Sequence, residues 1–272
     1  MTRPWPRRLV LVGAGKMGGA LAAGWLDGGF PAGSLTILEP SPSDDIKALA
    51  AARGFALNPV DPPPPEVLVL AVKPQSLDAV APGIAPLAVE ATLVVSILAG
   101  KTIADLKARL PRAGAVVRAM PNTPAAIGRG VTAAFASPEV AETQRRWTES
   151  LLGAVGAFHW LGEEAAIDAV TAISGGGPAY VFALTEALAR AAEALGLPAD
   201  LAMSLARGTV EGAGELMRRE PGTPPSVLRR NVTSPGGATT AALAVLQGEG
   251  GLDALMTRAA AAARARAADM AG

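Results

Sequence analysis

The stretch 8-RLVLVGAGKMGGALAAGWLDG-28 decides the fold. A short apolar run ends directly in Gly13, Gly15 and Gly18, and the residues after them have the composition of a helix. Strand, glycine turn and helix in that order form the opening of a unit that binds a dinucleotide. Gly13 permits the tight turn, and Gly15 lets the backbone approach a pyrophosphate. The helix beginning near Lys16 turns free N–H groups toward that anion. The whole loop, Gly13, Ala14, Gly15, Lys16, Met17 and Gly18, is therefore a candidate cofactor cradle. Three glycines at this spacing mean little alone; what strengthens them is a second strand, 35-LTILE-39, that ends on the acidic Glu39. Glu39 would accept ribose hydroxyls and repel a 2′-phosphate, favouring NAD. Ser41 and Ser43 follow at once and could hydrogen-bond a 2′-phosphate, so the residues leave NAD against NADP open.

Working outward, the alternation continues. A helix around 44-DDIKALAAARG-54 precedes 61-DPPPPE-66, a loop whose prolines exclude regular structure. Strands 67-VLVLAVK-73, 92-TLVVSIL-98 and 115-AVVRAM-120 follow, with a helix opened by Thr102 and Asp105 at capping-box spacing. Short, continuously apolar strands alternating with helices predict a parallel sheet covered on both faces. The loops after two of these strands, 71-AVKPQ-75 and 121-PNTP-124, would line the cofactor cleft. They add Ala71, Val72, Lys73, Pro74 and Asn122 to the candidate set, with Lys73 near phosphate or ribose and Asn122 on the nicotinamide side. Beyond residue 162 the expected strands stop. The segments 163–173, 178–195, 199–219 and 239–247 read as helices. The chain thus divides into a Rossmann-type doubly wound α/β domain, 1–162, and an all-helical domain, 163–272.

Composition removes several classes of chemistry. Basic and acidic residues balance at 24 each, which argues against nucleic acid, since phosphate backbones demand a basic surplus. With no cysteine there is no disulfide, thiolate metal site or cysteine nucleophile. The single histidine, His159, lies in the apolar run 155-VGAFHWLG-162 and reads as a partly buried structural residue; no metal site is expected. The start MTRPWPRRLVLVGAG has no long apolar core before a cleavage site, and no window reaches membrane length without charge, so the expectation is a cytoplasmic protein.

A second stretch, 232-VTSPGGATTAALAVLQ-247, breaks a helix-like region with a proline and two glycines, then resumes as a clean helix. With 13-GAGKMGGAL-21, 71-AVKPQ-75, 96-SILAG-100, 118-RAMPNTP-124 and 173-ISGGGPAYVF-182, it makes the chain resemble the pyrroline-5-carboxylate reductase family along essentially its whole length. The resemblance implies reduction of 1-pyrroline-5-carboxylate to L-proline by NADPH, with NADH possible. It also implies a carboxylate cradle of Ser234, Gly236, Gly237, Ala238 and Thr239. Gly236 and Gly237 would free backbone N–H groups to turn inward, and a helix from Thr239 would add its N-terminal donors. The Thr239 hydroxyl would contact the ring nitrogen and is the implied catalytic group; Thr240 reads as a helix-start residue. Gly176 stands where the family more often has serine or cysteine, and Tyr180 reads as a packing residue. Two other readings compete. A beta-hydroxyacid-type dehydrogenase needs a lysine in the helical half, and none follows Lys107; a dinucleotide sensor would have no use for the SPGGATT loop. Finally, Tyr180, Val181, Phe182, Leu184, Leu188 and Leu195, with Leu201, Met203, Leu205 and Val210, exceed what one covering layer needs. A homodimer, or a ring of dimers, is expected.

Overall fold

Residues 9–12 are buried without exception because they form the middle of a sheet covered on both sides. The computed structural model describes residues 3–269. In chain order it contains β1 (Leu9–Val12), α1 (Lys16–Asp27), β2 (Leu35–Leu38), α2 (Asp44–Arg53), β3 (Ala56–Leu57), β4 (Val67–Leu70) and α3 (Leu77–Ile84). Next come β5 (Leu93–Ser96), α4 (Ile103–Arg109), β6 (Ala115–Met120), β7 (Gly130–Ala136), α5 (Glu142–Gly153), β8 (Gly156–Trp160) and α6 (Ala166–Val170). The strand order is β3-β2-β1-β4-β5-β6-β7-β8. Pairing is parallel from β3 through β6, antiparallel between β6 and β7, and parallel again between β7 and β8. The order reverses at β1, which places a cleft at the carboxyl ends of β1 and β4.

Strand alternation sorts the apolar side chains into two cores. Leu9, Leu11, Val67, Val69, Val95 and Val117 face Leu21 and Trp25 of α1 and Leu151 and Leu152 of α5. Val10, Val12, Leu68, Leu70, Val94 and Val116 face Leu77 and Ile84 of α3 and Leu106 of α4. Each fully buried aliphatic side chain contributes about 1.5–3 kcal/mol, so both faces must be apolar and the strands read as unbroken hydrophobic runs. The Trp25 indole N–H, buried in the first core, donates to the Leu151 carbonyl at 2.8 Å. At α4, the Thr102 hydroxyl accepts the Asp105 N–H and the Asp105 carboxylate accepts the Thr102 N–H, so the capping box forms as expected.

Three elements had no signal in the sequence reading: β7, α5 and β8. β7 is rich in alanine, and β8 is an edge strand with one face toward solvent. This corrects the expectation for His159. It is exposed on β8, while its neighbours Phe158 and Trp160 turn the other way and pack edge to face at 5.0 Å.

The described residues form two compact units. One comprises those up to Gly176 and from Ala263 onward; the other is Gly177–Ala262. The first therefore continues past residue 162, because α6 and the π-turn Thr171–Gly175 pack with the sheet. The second holds α7 (Gly177–Ala194), α8 (Ala199–Arg219), α9 (Pro225–Asn231) and α10 (Ala238–Leu246), with most of α11 (Leu252–Asp269). Helices α7 and α8 pack on one another, and the only buried residues of this unit are Ala189, Ala202 and Ala206. Phe182 is 62% exposed and Leu184 50%, and Leu188, Leu201, Met203 and Leu205 are exposed beside them. The helical run Ala166–Ala194, at 29 residues, is long and apolar enough by length and composition to cross a membrane. It nevertheless carries Asp168, Glu186, Arg190 and Glu193, with Glu186 and Arg190 paired at 3.7 Å.

Candidate functional site

The glycine loop joins β1 to α1 as the sequence predicts, and its glycines have different reasons. Gly13 sits at φ +91°, and a Cβ there would lie 2.8 Å from the Ala71 carbonyl carbon and oxygen. Its N–H donates to the Leu38 carbonyl at 2.9 Å. A Cβ on Gly18 would overlap the Gly13 carbonyl oxygen at 2.1 Å. Gly13 and Gly18 are thus glycine because the fold demands it. At Gly15 a Cβ would meet no atom within 4 Å, and φ is an ordinary −66°. Nothing in the protein requires glycine there. Gly15 is the N-cap of α1 and supplies no side-chain cap; the first helical bond runs from the Gly19 N–H to the Gly15 carbonyl at 2.7 Å. The N–H groups ahead of it have no helical partner, which suits a pyrophosphate.

Beside this turn lies a cavity of about 670 Å³, lined by Ala14, Gly15 and Lys16 of the loop and by Glu39, Ser41, Ser43 and Asp45. Glu39 is fixed in place. Its carboxylate accepts the Ala14 N–H at 2.8 Å and the Ser41 N–H at 3.1 Å. The Asn58 amide brackets its backbone, accepting the Glu39 N–H and donating to the Glu39 carbonyl, both at 2.8 Å. The Ser43 oxygen accepts the Ile46 N–H at 3.3 Å and so caps α2. Met17 packs partly buried against the first core.

At the neighbouring strand end, Ala71 and Val72 press on Gly13, Lys73 is exposed, and Pro74 opens a short 3-10 turn. Asn122, at the end of β6, is buried, and protein partners hold its amide. Its oxygen accepts the Val131 N–H at 2.8 Å, and its nitrogen donates to the Ser174 carbonyl and hydroxyl at 3.2 and 3.3 Å. Asn122 therefore ties the cleft edge to the π-turn instead of presenting a free amide.

A second tie escaped the sequence reading. Arg118, in the middle of β6, is 3% exposed and faces Glu164 at 3.4 Å and Asp168 at 3.3 Å. The Glu164 carboxylate also accepts the Ile103 N–H at 2.8 Å. The Arg118 Nε has no partner. A lone cation in an otherwise apolar strand was the available signal, because a buried arginine needs carboxylates brought to it. Among the described residues, no three His, Cys, Asp or Glu are grouped to hold a metal ion.

In the helical unit, the 232–247 stretch folds as a turn followed by a helix. Gly236 takes φ +72°, a conformation that favours glycine, and Gly237 is the N-cap. The Gly237 N–H and the Thr240 hydroxyl both donate to the Ser234 carbonyl, at 3.0 and 2.7 Å. The helix starts at Ala238, one residue before the expected Thr239, because Gly237 already serves as its cap. Its first internal bond is Ala241 N–H to the Gly237 carbonyl at 3.2 Å, leaving the N–H groups of Ala238 and Thr239 without helical partners. No side chain caps this end, and the exposed Thr239 hydroxyl bonds to no protein group among the described residues. Ser234 is also exposed. Tyr180 is half-buried in the first turn of α7, and Gly176 follows the π-turn.

Comparison with known proteins draws on both halves. Residues 164–270 match a family described as pyrroline-5-carboxylate reductase dimerisation, and residues 8–100 match one described as NADP oxidoreductase, coenzyme F420-dependent. The chain is 40% identical to the pyrroline-5-carboxylate reductase of Pseudomonas aeruginosa over 97% of each chain. It is 36% identical to that of Pasteurella multocida over 88% of this chain and 89% of the relative. A pyrroline-5-carboxylate reductase structure from Coxiella burnetii superposes with a TM-score of 0.89 at 33% identity, covering 98% of this chain and 99% of that one. The Plasmodium falciparum pyrroline carboxylate reductase, solved with NADP bound, gives 0.79 at 27%, covering 97% and 98%.

Proposed function

The chain belongs to the pyrroline-5-carboxylate reductase family, and on that premise we propose how its own residues carry the reaction. It is an NAD(P)H-dependent oxidoreductase that reduces the C=N bond of 1-pyrroline-5-carboxylate to give L-proline, the last step of proline biosynthesis. When bound, the reduced nicotinamide supplies the hydride that the imine carbon receives, which is C2 of the pyrroline ring and becomes C5 of proline. The unpartnered N–H groups at the start of α1 hold the pyrophosphate, and Gly15 lets it come close. Glu39 and Ser41 receive the adenosine ribose, Lys73 meets phosphate or ribose, and Ala71, Val72 and Pro74 form the wall between them. Asn122 keeps the nicotinamide edge in place through Val131 and Ser174. The unit that runs through the sheet to Gly176 acts as the dinucleotide domain, and the helices from Gly177 act as the domain for substrate and dimerisation.

The substrate asks for a cradle for one carboxylate and a hydrogen bond at its ring nitrogen, with no nucleophile. The start of α10 offers both. Its N–H groups at Ala238 and Thr239, approached over Ser234, Gly236 and Gly237, take the carboxylate. The Thr239 hydroxyl oxygen accepts the N–H of the protonated imine, which orients the ring for hydride addition at its imine carbon. One observation carries this assignment: of two adjacent threonines, Thr240 spends its hydroxyl on the Ser234 carbonyl and Thr239 does not. Thr239→Ala should lower kcat/KM about ten- to a hundredfold, the loss of one hydrogen bond of about 1.5–3 kcal/mol to a charged group. Its affinity for the dinucleotide should stay at the wild-type value. Wild-type turnover by that variant would remove Thr239 from the mechanism.

A helical unit with three buried alanines and a row of exposed Leu, Val, Phe and Met side chains has no core of its own. We assign that surface to a second copy of the chain, making a homodimer that can assemble further into a ring of dimers. On this reading each active site is completed with the help of the second copy. The apolar run Ala166–Ala194 is then covered by protein, not lipid, and the enzyme works in the cytoplasm without a nucleic-acid partner.

A further inference from the structure

Charge is unbalanced in the cavity beside α1. Glu39 and Asp45 line it, and Lys16 is the one cation among the lining residues. Glu39 cannot swing away, because the Ala14 and Ser41 N–H groups hold its carboxylate and Asn58 brackets its backbone. A carboxylate offers about four acceptor positions, so two remain for a ligand hydroxyl. The N-terminus of α2 would ordinarily attract a phosphate, but Asp44 and Asp45 fill its first turn and offset its positive end. The Ser43 oxygen is already taken by the Ile46 N–H.

We propose, resting on the assignment of this loop to the dinucleotide, that Glu39 and Asp45 make NADH the preferred cofactor. The two dinucleotides differ only in the 2′-phosphate, so every other contact of the cleft cancels in the comparison. An unmodified ribose donates its hydroxyls to Glu39. A 2′-phosphate would set its negative charge against two carboxylates, with one lysine to answer them. NADPH remains usable, at higher concentration.

The test is calorimetric titration of the full-length protein with NADH and with NADPH, at low and at physiological salt. The wild type should bind NADH about tenfold more tightly. Glu39→Gln keeps an acceptor for the Ala14 N–H, and Asp45→Asn leaves the cap at Ser43; each should narrow the gap by tightening NADPH. Added salt should narrow it too, because it screens the repulsion. NADPH binding as tight as NADH in the wild type, or a gap that neither variant moves, overturns the proposal. Binding of neither dinucleotide overturns instead the assignment of the loop on which it rests.

Discussion

Replacing Gly13 and Gly15 by alanine, one at a time, separates what the fold requires from what the ligand requires. At Gly13 the new methyl meets the Ala71 backbone at 2.8 Å, and an alanine must also hold φ +91°. The left-handed conformation costs about 1–2 kcal/mol and the overlap about 1–3 kcal/mol, so the sum is about 2–5 kcal/mol. In a unit of this size each kcal/mol moves the melting midpoint by about 2–4 °C, which gives a fall of roughly 4–20 °C. At Gly15 the methyl enters open space at an ordinary φ. The only intrinsic cost is alanine's poorer fit at an N-cap, about 0.5–1 kcal/mol, or a few degrees at most. The same methyl stands over the end of α1, where a pyrophosphate would come closest. Thermal melting paired with dinucleotide titration reads both quantities. Gly13→Ala should melt early; Gly15→Ala should melt near the wild type yet bind the dinucleotide at least tenfold more weakly. A Gly15→Ala protein with unchanged affinity would refute the reasoning, since that glycine would then have no cause in fold or ligand.

Two further outcomes follow from the helical half and its attachment. Light scattering on the purified protein should give a dimer or a multiple of one, and a fully active species of single-chain mass would defeat the assignment of the exposed α7–α8 face to a second copy. Arg118→Met leaves Glu164 and Asp168 facing a buried gap. Because both carboxylates are partly exposed, the loss should be about 2–4 kcal/mol, at the lower end for a broken buried pair. Melting temperature is the check, and a wild-type midpoint would show that the triad does not hold α6 to the sheet.

Much of this was legible in the sequence, for reasons that differ by element. The turn at 13-GAGKMG-18 was readable because β1, Gly13 and α1 each satisfy a local rule, and the three rules agree. Thr102 and Asp105 were readable because a capping box is local. β7 and β8 were not. Alanine-rich β7 owes its place to pairing with β6, and pairing across the sheet leaves no periodic mark on so short a segment. Arg118 was visible as a misplaced charge, but its partners lie 46 and 50 residues away, a distance no local pattern spans. Asn122 read as an amide for the nicotinamide side, and the sequence carries no sign that Val131 and Ser174 engage it, because those partners come from other segments. Thr239 and Thr240 look equivalent in 237-GATT-240. Their difference appears only once the turn brings the Ser234 carbonyl under Thr240.

The most direct measurement is of the reaction itself. Purified protein is given reduced dinucleotide and 1-pyrroline-5-carboxylate, with reduced nicotinamide followed by absorbance and L-proline by amino-acid analysis. The account predicts steady oxidation that starts only when the imine is added, with one L-proline formed for each dinucleotide consumed. A preparation that binds the dinucleotide but neither oxidises it nor forms proline on adding the imine would contradict the account, and would leave a dinucleotide-binding protein without the chemistry assigned to its SPGGATT loop.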